Sequence, residues 1–376
     1  MDGARILVGF ELLVGAEDFW ARAAGDIAGA RRRVMIQAMS FEGDVAGHAA
    51  ARALTDSVAV DRRVLVDDYS RHNINDKSVR SWTGRRNRGL LDEVAATASM
   101  FRRLVEAGVP VRVTNPMGRW GRGYPARNHK KLIVADDVAY LGGINFCDHN
   151  YAWHDFMLRL EDAAAADFLA EDFAATFAGR ARAAASNHPD LRLVSLDGRN
   201  NGAALAPVYK AVAEAEREIT VLSPYLTFPF TDHLTRARRR GVTVRLMTPW
   251  ANNKTIVRNA LLSTAAQSGF DVTLLPRMSH LKALLIDGET LIVGSSNFDF
   301  VSLAAEEELM AIITDAALIA DFRRGIINPA LEEALPPGDH RISSFAATTS
   351  SLVLRLADPI ARAARGWPRT AIEWPD

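Results

Sequence analysis

The order His129-x-Lys131-x-x-x-x-Asp136 returns as His280-x-Lys282-x-x-x-x-Asp287, 151 residues later (280 − 129). Each copy runs on into an apolar segment, a Gly-rich turn and an Asn. In the first these are Val138-Ala139-Tyr140-Leu141, Gly142-Gly143 and Asn145; in the second, Leu291-Ile292-Val293, Gly294-Ser295-Ser296 and Asn297. A single match is compatible with chance. Two in the same order with the same sequel are the signature of a duplicated half-site, so the chain is constrained to build the same local structure twice.

Elementary stereochemistry says what that structure does. Residues two apart on a strand point to one face, so His129 and Lys131 sit side by side. The next four residues, Leu132-Ile133-Val134-Ala135, are all apolar and read as a buried strand. Each copy therefore presents an imidazole and an ammonium at a strand end, and the Gly-rich turn returns an Asn amide towards them. An imidazole attacks or carries a proton near neutral pH. A Lys is a point charge suited to phosphate oxygens. Two such sets facing each other suit an anionic phosphodiester better than a peptide or a sugar.

Both segments resemble the His-Lys-Asp motif of the phospholipase D superfamily, and Arg127-Asn128-His129-Lys130-Lys131-Leu132 looks like the first motif of its cardiolipin synthase branch. The resemblance covers roughly residues 10 to 330. It implies an α/β phospholipase D-like fold: a duplicated α-β-α sandwich with one active site between two pseudo-symmetric halves. It also implies two-step chemistry through a phosphohistidine, with one His attacking phosphorus and the other protonating the leaving alkoxide. The resemblance assigns the nucleophile to His129 and the acid to His280, and gives Lys131, Lys282, Asn145 and Asn297 the non-bridging oxygens. Asp155 and Glu308 complete the catalytic set as carboxylates that orient the imidazoles, at 26 and 28 residues after the two His (155 − 129; 308 − 280). By the family's cross-paired geometry Asp155 serves His280 and Glu308 serves His129; Glu308 is chosen among Glu306, Glu307 and Glu308 because it lies six after Ser302. Asp136 and Asp287 belong to the motif and are expected to bind backbone or a neighbouring turn. One departure is Val301, where the family often has Arg before Ser302. Cations and donors are already supplied, so no metal or cofactor is expected.

Composition narrows the class. The chain has 376 residues, 48% hydrophobic, enough for two domains or one duplicated one. Its 45 basic residues balance 45 acidic ones, which disfavours a dedicated nucleic-acid binder. A single Cys, Cys147, rules out an internal disulfide and is compatible with a reducing compartment. No secretory leader is expected, because the apolar stretch at 6–15 is interrupted by Glu11. No run is long and apolar enough for a membrane span. The expectation is a cytoplasmic protein, peripheral at the membrane, monomeric or homodimeric, that reaches a phospholipid from the surface.

Along the chain, helices are expected at 16–33, 45–54, 91–107, 203–218, 230–240 and 255–268. Strands are expected at 34–41, 63–68, 109–113, 219–225, 241–249 and 270–275, with 157–160 paralleling 309–313 and a polar, Arg-rich loop at 69–90. Helices begin alike at Asp162 and Asp315. The domains then read as an N-terminal half at 1–186, a linker at 187–202 where periodicity breaks, a C-terminal half at 203–335 and a peripheral tail at 336–376.

Rival readings are weaker. His149 and His154 with Asp148 and Asp155 match no standard metal-ligand spacing. Cys147 has no dedicated base. Ser295 and Ser296 lack the Gly-x-Ser-x-Gly elbow, and Gly118-x-x-Gly121-x-Gly123 fits no phosphate-binding fingerprint. The loop 117–126, with Arg119, Trp120, Arg122 and Tyr124, suits an anionic membrane interface, or is a solvated loop with a packed Trp. Tyr225, Leu226, Phe228 and Phe230 are candidates for an opposing lip, and the basic run 80–88 for a headgroup or nucleic-acid contact. Within enzymes the alternatives are hydrolysis to phosphatidic acid and a nuclease or other phosphodiesterase. An inactive membrane-binding scaffold is the non-enzyme alternative.

Overall fold

Alternation between buried strands and amphipathic helices produces two mixed sheets, each flanked by helices. The computed structural model describes residues 8–118, 121–336 and 342–375. The described residues form two compact units: one within 8–152, 156–182 and 367–375, the other from 153–155, 183–336 and 342–366.

The first sheet runs Gly9–Val14, Phe156–Glu161, Val138–Gly142, Leu132–Ala135, Arg33–Ala38, Asp61–Asp67, Val111–Thr114, Ala371–Glu373. The second runs Ala184–His188, Leu191–Asp197, Glu307–Ile313, Thr290–Gly294, Ala283–Ile286, Glu218–Leu222, Thr243–Pro249, Asp271–Leu275. Seven strands correspond in order. Three on one side of the motif strand are mutually parallel and joined by helical crossovers, as parallel pairing requires. The motif strand and those beyond it are antiparallel. Each sheet adds one unmatched edge strand, at opposite edges. The motif strands are central in their sheets, and their four residues are buried in both units. Phe19, Ile36, Phe41, Phe101 and Phe146 pack the first core; Leu196, Leu226, Phe230, Ile292 and Phe298 pack the second.

The third motif residue explains how the strand is held. Asp136 and Asp287 occupy the turn after the motif strand with φ of 51° and 52°. Asp136 accepts the backbone N–H groups of Arg31, Arg32 and Arg33 at 2.9, 2.8 and 3.0 Å. Asp287 accepts those of Glu216, Arg217 and Glu218 at 2.9, 2.8 and 2.9 Å. These bonds hold both carboxyls below the usual carboxylate range despite partial burial. Each Asp thus ties its turn to the start of the neighbouring strand, at the end of the motif strand remote from the His. It is a structural residue, not a group at the chemistry.

Several expectations need correction. The break at 187–202 is not a linker: Ala184–His188 and Leu191–Asp197 form an antiparallel hairpin at the edge of the second sheet. Pro189 and Asp190, the latter at φ 56°, make its tight turn, and a tight turn carries the same residue types as a boundary between domains. The region 336–376 is not simply a tail. It holds the 21-residue helix Ser344–Ala364 and the strand Ala371–Glu373, which pairs with Val111–Thr114. A pairing across some 260 positions leaves no local trace. Residues 153–155 fall in the second unit although they lie among first-half strands in sequence. The loop 69–90 contains short 3-10 turns and a two-residue ladder, Asn73–Ile74 with Lys77–Ser78. The helix at 255–268 is Thr255–Ser268, whereas that at 203–218 splits at Leu205 ahead of Pro207.

Lys130, between the two motif residues, is fully buried. Its ammonium sits 2.7 and 2.9 Å from the oxygens of the equally buried Asp172, on helix Ala163–Phe177. Asp172→Ala removes the carboxylate from a buried cation and is expected to destabilise the protein by about 3–5 kcal/mol. Lys130→Met with Asp172→Leu should recover most of that loss. Urea unfolding midpoints of the parent and the two variants provide the check; a single variant as stable as the parent would show the pair is not needed for folding.

Candidate active site

In the first unit the motif is positioned by a buried ionic cluster. Arg127 Nη1 donates to Asp67 Oδ1 at 2.5 Å, and its Nη2 donates to the carbonyls of Asn115 and Gly123 at 2.6 and 2.8 Å. The Asn128 N–H donates to Asp67 Oδ2 at 2.7 Å, and Gln37 Nε2 donates to Asn128 Oδ1 at 2.7 Å. Burial pushes the Asp67 carboxyl up to about 6 even with Arg127 opposing it. The backbone entering His129 is therefore clamped on both sides. His129 and Lys131 are buried, and Lys131 Nζ donates to the His129 carbonyl at 2.6 Å. Asn145 makes chain contacts: Oδ1 accepts the Ser40 N–H at 3.1 Å, and Nδ2 donates to Asn150 Oδ1 at 2.7 Å. Those bonds tie two loops together, a role distinct from the substrate contact expected of it.

In the second unit His280 carries a carboxylate partner. Asp155 Oδ2 lies 2.8 Å from His280 Nδ1, and both residues are buried. A small parallel bridge brings Asp155 there: the His154 N–H donates to the Met278 carbonyl at 3.1 Å, and the His280 N–H to the His154 carbonyl at 2.8 Å. An ionised carboxylate only accepts, so it holds the proton on Nδ1 and leaves Nε2 for attack or proton transfer. Trp153 and Tyr225 wall the ring, with centroids 5.2 and 5.9 Å away. Tyr225 is itself held by Asn253 Oδ1 at 2.6 Å, with Lys254 Nζ 5.2 Å from its ring centroid. Lys282 Nζ donates to the His280 carbonyl, repeating the Lys131 contact. Glu308 is fully buried; Ser302 Oγ donates to its Oε1 at 2.9 Å and Ser295 Oγ to its Oε2. Ser302 Oγ also lies 2.9 Å from Glu306 Oε2. Asn297 is buried, and its carbonyl accepts from Ser223 Oγ at 3.0 Å.

Each half-site thus offers an imidazole with an adjoining ammonium, in the second unit with a tautomer-fixing carboxylate. That set can attack or protonate and can hold an oxyanion. Sequence reasoning missed the Arg127–Asp67 clamp, although the acid closing strand Asp61–Asp67 was visible. It also missed Tyr225 and Trp153 beside His280, which no local pattern marks.

The expected membrane lips fare unevenly. Arg119 and Trp120 lie outside the described residues, while Arg122 and Tyr124 are exposed. The loop is packed by another indole: Trp367 Nε1 donates to the Pro116 carbonyl at 2.9 Å, and a Cβ at Gly123 would meet that nitrogen at 2.4 Å. The opposing lip is not a surface. Tyr225, Leu226 and Phe230 are buried, and Phe228 stacks on Phe300 at 5.1 Å. The arginines at 80–88 are exposed, with Arg86 stacked 3.9 Å over Trp82. In the first unit, Glu42, Cys147 and His149 bring three ligand-type atoms within 4.8 Å of one another. Burial pushes the Cys147 thiol well up, so it stays protonated and is no nucleophile.

Comparison with known proteins adds family context. The family described as "Cardiolipin synthase, PLD-like domain" matches residues 208–327. The chain is 29% identical over 215 residues to minor cardiolipin synthase ClsB of Bacillus subtilis (strain 168), covering 52% of this chain and 54% of that protein. The match therefore spans about half the length of that relative. Identity to cardiolipin synthase B of Escherichia coli (strain K12) is 27% over 338 residues, covering 81% and 76%. Among solved structures, phosphatidylserine synthase of Haemophilus influenzae Rd KW20 overlays with a TM-score of 0.66 at 14% identity, covering 95% of this chain and 94% of that one; it shares the fold.

Glu42, beside Cys147 and His149, gives a pH test. Burial, reinforced by the Asp44, Glu93 and Asp76 carboxylates, pushes its carboxyl from 4.5 up to about 8. A raised carboxyl favours the folded state fully below about 4.5, and that contribution is lost as pH rises through about 8. Glu42→Gln should flatten the stability profile across this window and leave the variant relatively more stable at its alkaline end. Thermal midpoints at a series of pH values would show it; parallel profiles for parent and variant would contradict a buried, protonated Glu42.

Proposed function

We propose that this chain, which resembles the phospholipase D superfamily on its cardiolipin synthase-like branch, transfers a phosphatidyl group between alcohols through a phosphohistidine. The donor is a phospholipid such as phosphatidylglycerol. With a second phosphatidylglycerol as acceptor, the product is cardiolipin and the leaving alcohol is glycerol. The observation that carries the reading is the duplicated His-Lys pair, with the 2.8 Å Asp155–His280 contact in one copy.

His129 Nε2 attacks phosphorus, the P–O bond to the leaving alcohol breaks, and His280 gives that alkoxide its proton. His280 then takes the proton of the incoming alcohol, whose oxygen attacks phosphorus and releases His129. Asp155 stabilises the His280 imidazolium whenever it holds the proton, as an orienting carboxylate does. Glu308 is assigned the same task for His129 by its match to the family's motif. Lys131 and Lys282 neutralise the non-bridging oxygens as charge builds. With water as acceptor the same steps yield phosphatidic acid.

Purified protein incubated with phosphatidylglycerol, and separately with phosphatidylcholine, is expected to give cardiolipin and glycerol from the first by mass spectrometry. His129→Ala and His280→Ala should each lower turnover by about 10³-fold or more, and Asp155→Asn by about 10²-fold, by the logic of lost nucleophilic and acid–base catalysis. Phosphatidic acid as sole product would make the protein a hydrolase. Cleavage of DNA or a simple diester with no lipid product would overturn the lipid substrate while leaving the phosphodiester site.

A further inference from the structure

Helix Ser344–Ala364 inverts the usual arrangement of a globular helix. Its buried positions are Ala347, Ser350, Ala361 and Ala364, all small, and through them it packs closely on helices Thr255–Ser268 and Phe300–Ala305. Its large apolar side chains face outwards: Phe345 is 79% exposed, Leu352 55%, Val353 46%, Leu356 64% and Ile360 63%. They recur at helical spacing and so share one stripe. Five of the 16 exposed large hydrophobics among the described residues stand on this one helix, so the stripe is a patch and not scatter.

The charges that accompany it are specific. From 344 to 365 the sequence holds Arg355, Arg362 and Arg365 against a single acid, Asp358, with no Lys or Glu. Asp358 is already engaged by Arg362 Nε, 2.9 Å from each of its oxygens. Arg355 and Arg362 are exposed and lie along one flank of the stripe. Arginine beside an apolar stripe buries its stem and keeps its guanidinium at the water boundary. A two-fold contact with a second copy through this face would bring like charges together with no spare carboxylate on the helix to receive them. An anionic surface receives them directly. The helix is about 32 Å long at 1.5 Å per residue, with charges in its middle, so it lies along a surface and does not cross one. Among the described residues, no helix is long and apolar enough to span a membrane.

We propose that Ser344–Ala364 is the element by which this protein docks on an anionic phospholipid bilayer, with Phe345, Leu352, Leu356 and Ile360 in the acyl–headgroup boundary and Arg355 and Arg362 at the phosphates. The proposal rests on the phospholipid reading above and adds where the protein meets the lipid. It also explains why small residues face inwards: close seating on the second unit leaves the large ones outside.

The test uses the full chain and vesicles of phosphatidylcholine alone or mixed with phosphatidylglycerol. The protein should sediment with the mixed vesicles, less with phosphatidylcholine alone, and less at high salt. Leu352→Gln with Leu356→Gln should weaken binding by about tenfold or more from lost apolar burial. Arg355→Gln with Arg362→Gln should weaken it only on the anionic vesicles. All these side chains are exposed, so thermal midpoints should stay close to the parent's, with only the small loss an i,i+4 pair carries when Arg362 no longer holds Asp358. Turnover of short-chain phosphatidylglycerol dissolved as monomers should be unchanged in both variants, while turnover on vesicles falls with binding. Undiminished vesicle binding by the double Leu variant would overturn the proposal. So would a parent that elutes as a dimer, ignores vesicles and becomes monomeric in that variant. If the parent binds vesicles through this helix but turns over no lipid in either form, docking stands and the proposed reaction fails.

Discussion

Two lysine ammonium groups, Lys131 and Lys282, are kept almost wholly out of water, and much of each unit follows from that. A buried cation is costly unless it is bonded. Each here donates to the carbonyl of the His two residues before it, so the cation and the imidazole are fixed by the same few backbone atoms leading into the strand. The strand must not shift by one residue, because a slip would turn both side chains to the opposite face. Its register is secured by antiparallel partners on both sides and by a turn Asp at its far end. In both units that Asp collects three consecutive backbone N–H groups at the start of the adjacent strand. The motif is therefore a mechanical unit as well as a chemical one, with chemistry at one end of a strand and its anchor at the other.

The two units solve the local problem differently. In the first, Arg127 and Asp67 lock the backbone that enters His129, and a second buried pair, Lys130 with Asp172, holds the residue beyond it. In the second, Met278 and Leu281 stand where the first has Arg127 and Lys130, and the approach to His280 is held by the bridge to residues 153–155. That short segment does two jobs. Its backbone fixes the motif, and its Asp155 fixes the tautomer of the His. Trp153 and Tyr225 then limit water around the ring, which strengthens the carboxylate–imidazole contact.

The C-terminal region divides between the units. Ala371–Glu373 extends the first sheet, and Trp367 packs over Gly118 and Gly123 in the loop before the first motif. Ser344–Ala364 seats on the second unit through Ala and Ser. One stretch of chain thus stiffens the approach to His129 and presents an apolar, arginine-flanked face.

Much was legible in the residues alone. The repeated His-x-Lys-x4-Asp order determined that there are two similar units, because the same pattern of apolar runs and Gly-rich turns accompanies it each time. The all-apolar runs after each Lys determined central strands, and Asp162 and Asp315 marked helix starts, which they cap at Ala165 and Leu318. These are local rules acting over a few residues. Tertiary structure decided the rest. It turned 187–202 into a hairpin, since a tight turn and a linker share the same Pro and Asn signals. It gave Asn145 to Ser40 and Asn150 and buried Tyr225 against His280. It sent residues 371–373 to a sheet edge and brought residue 155 to residue 280. Each of those outcomes depends on which distant surfaces close on one another, and burial and hydrogen-bond satisfaction settle that only when the whole chain is packed.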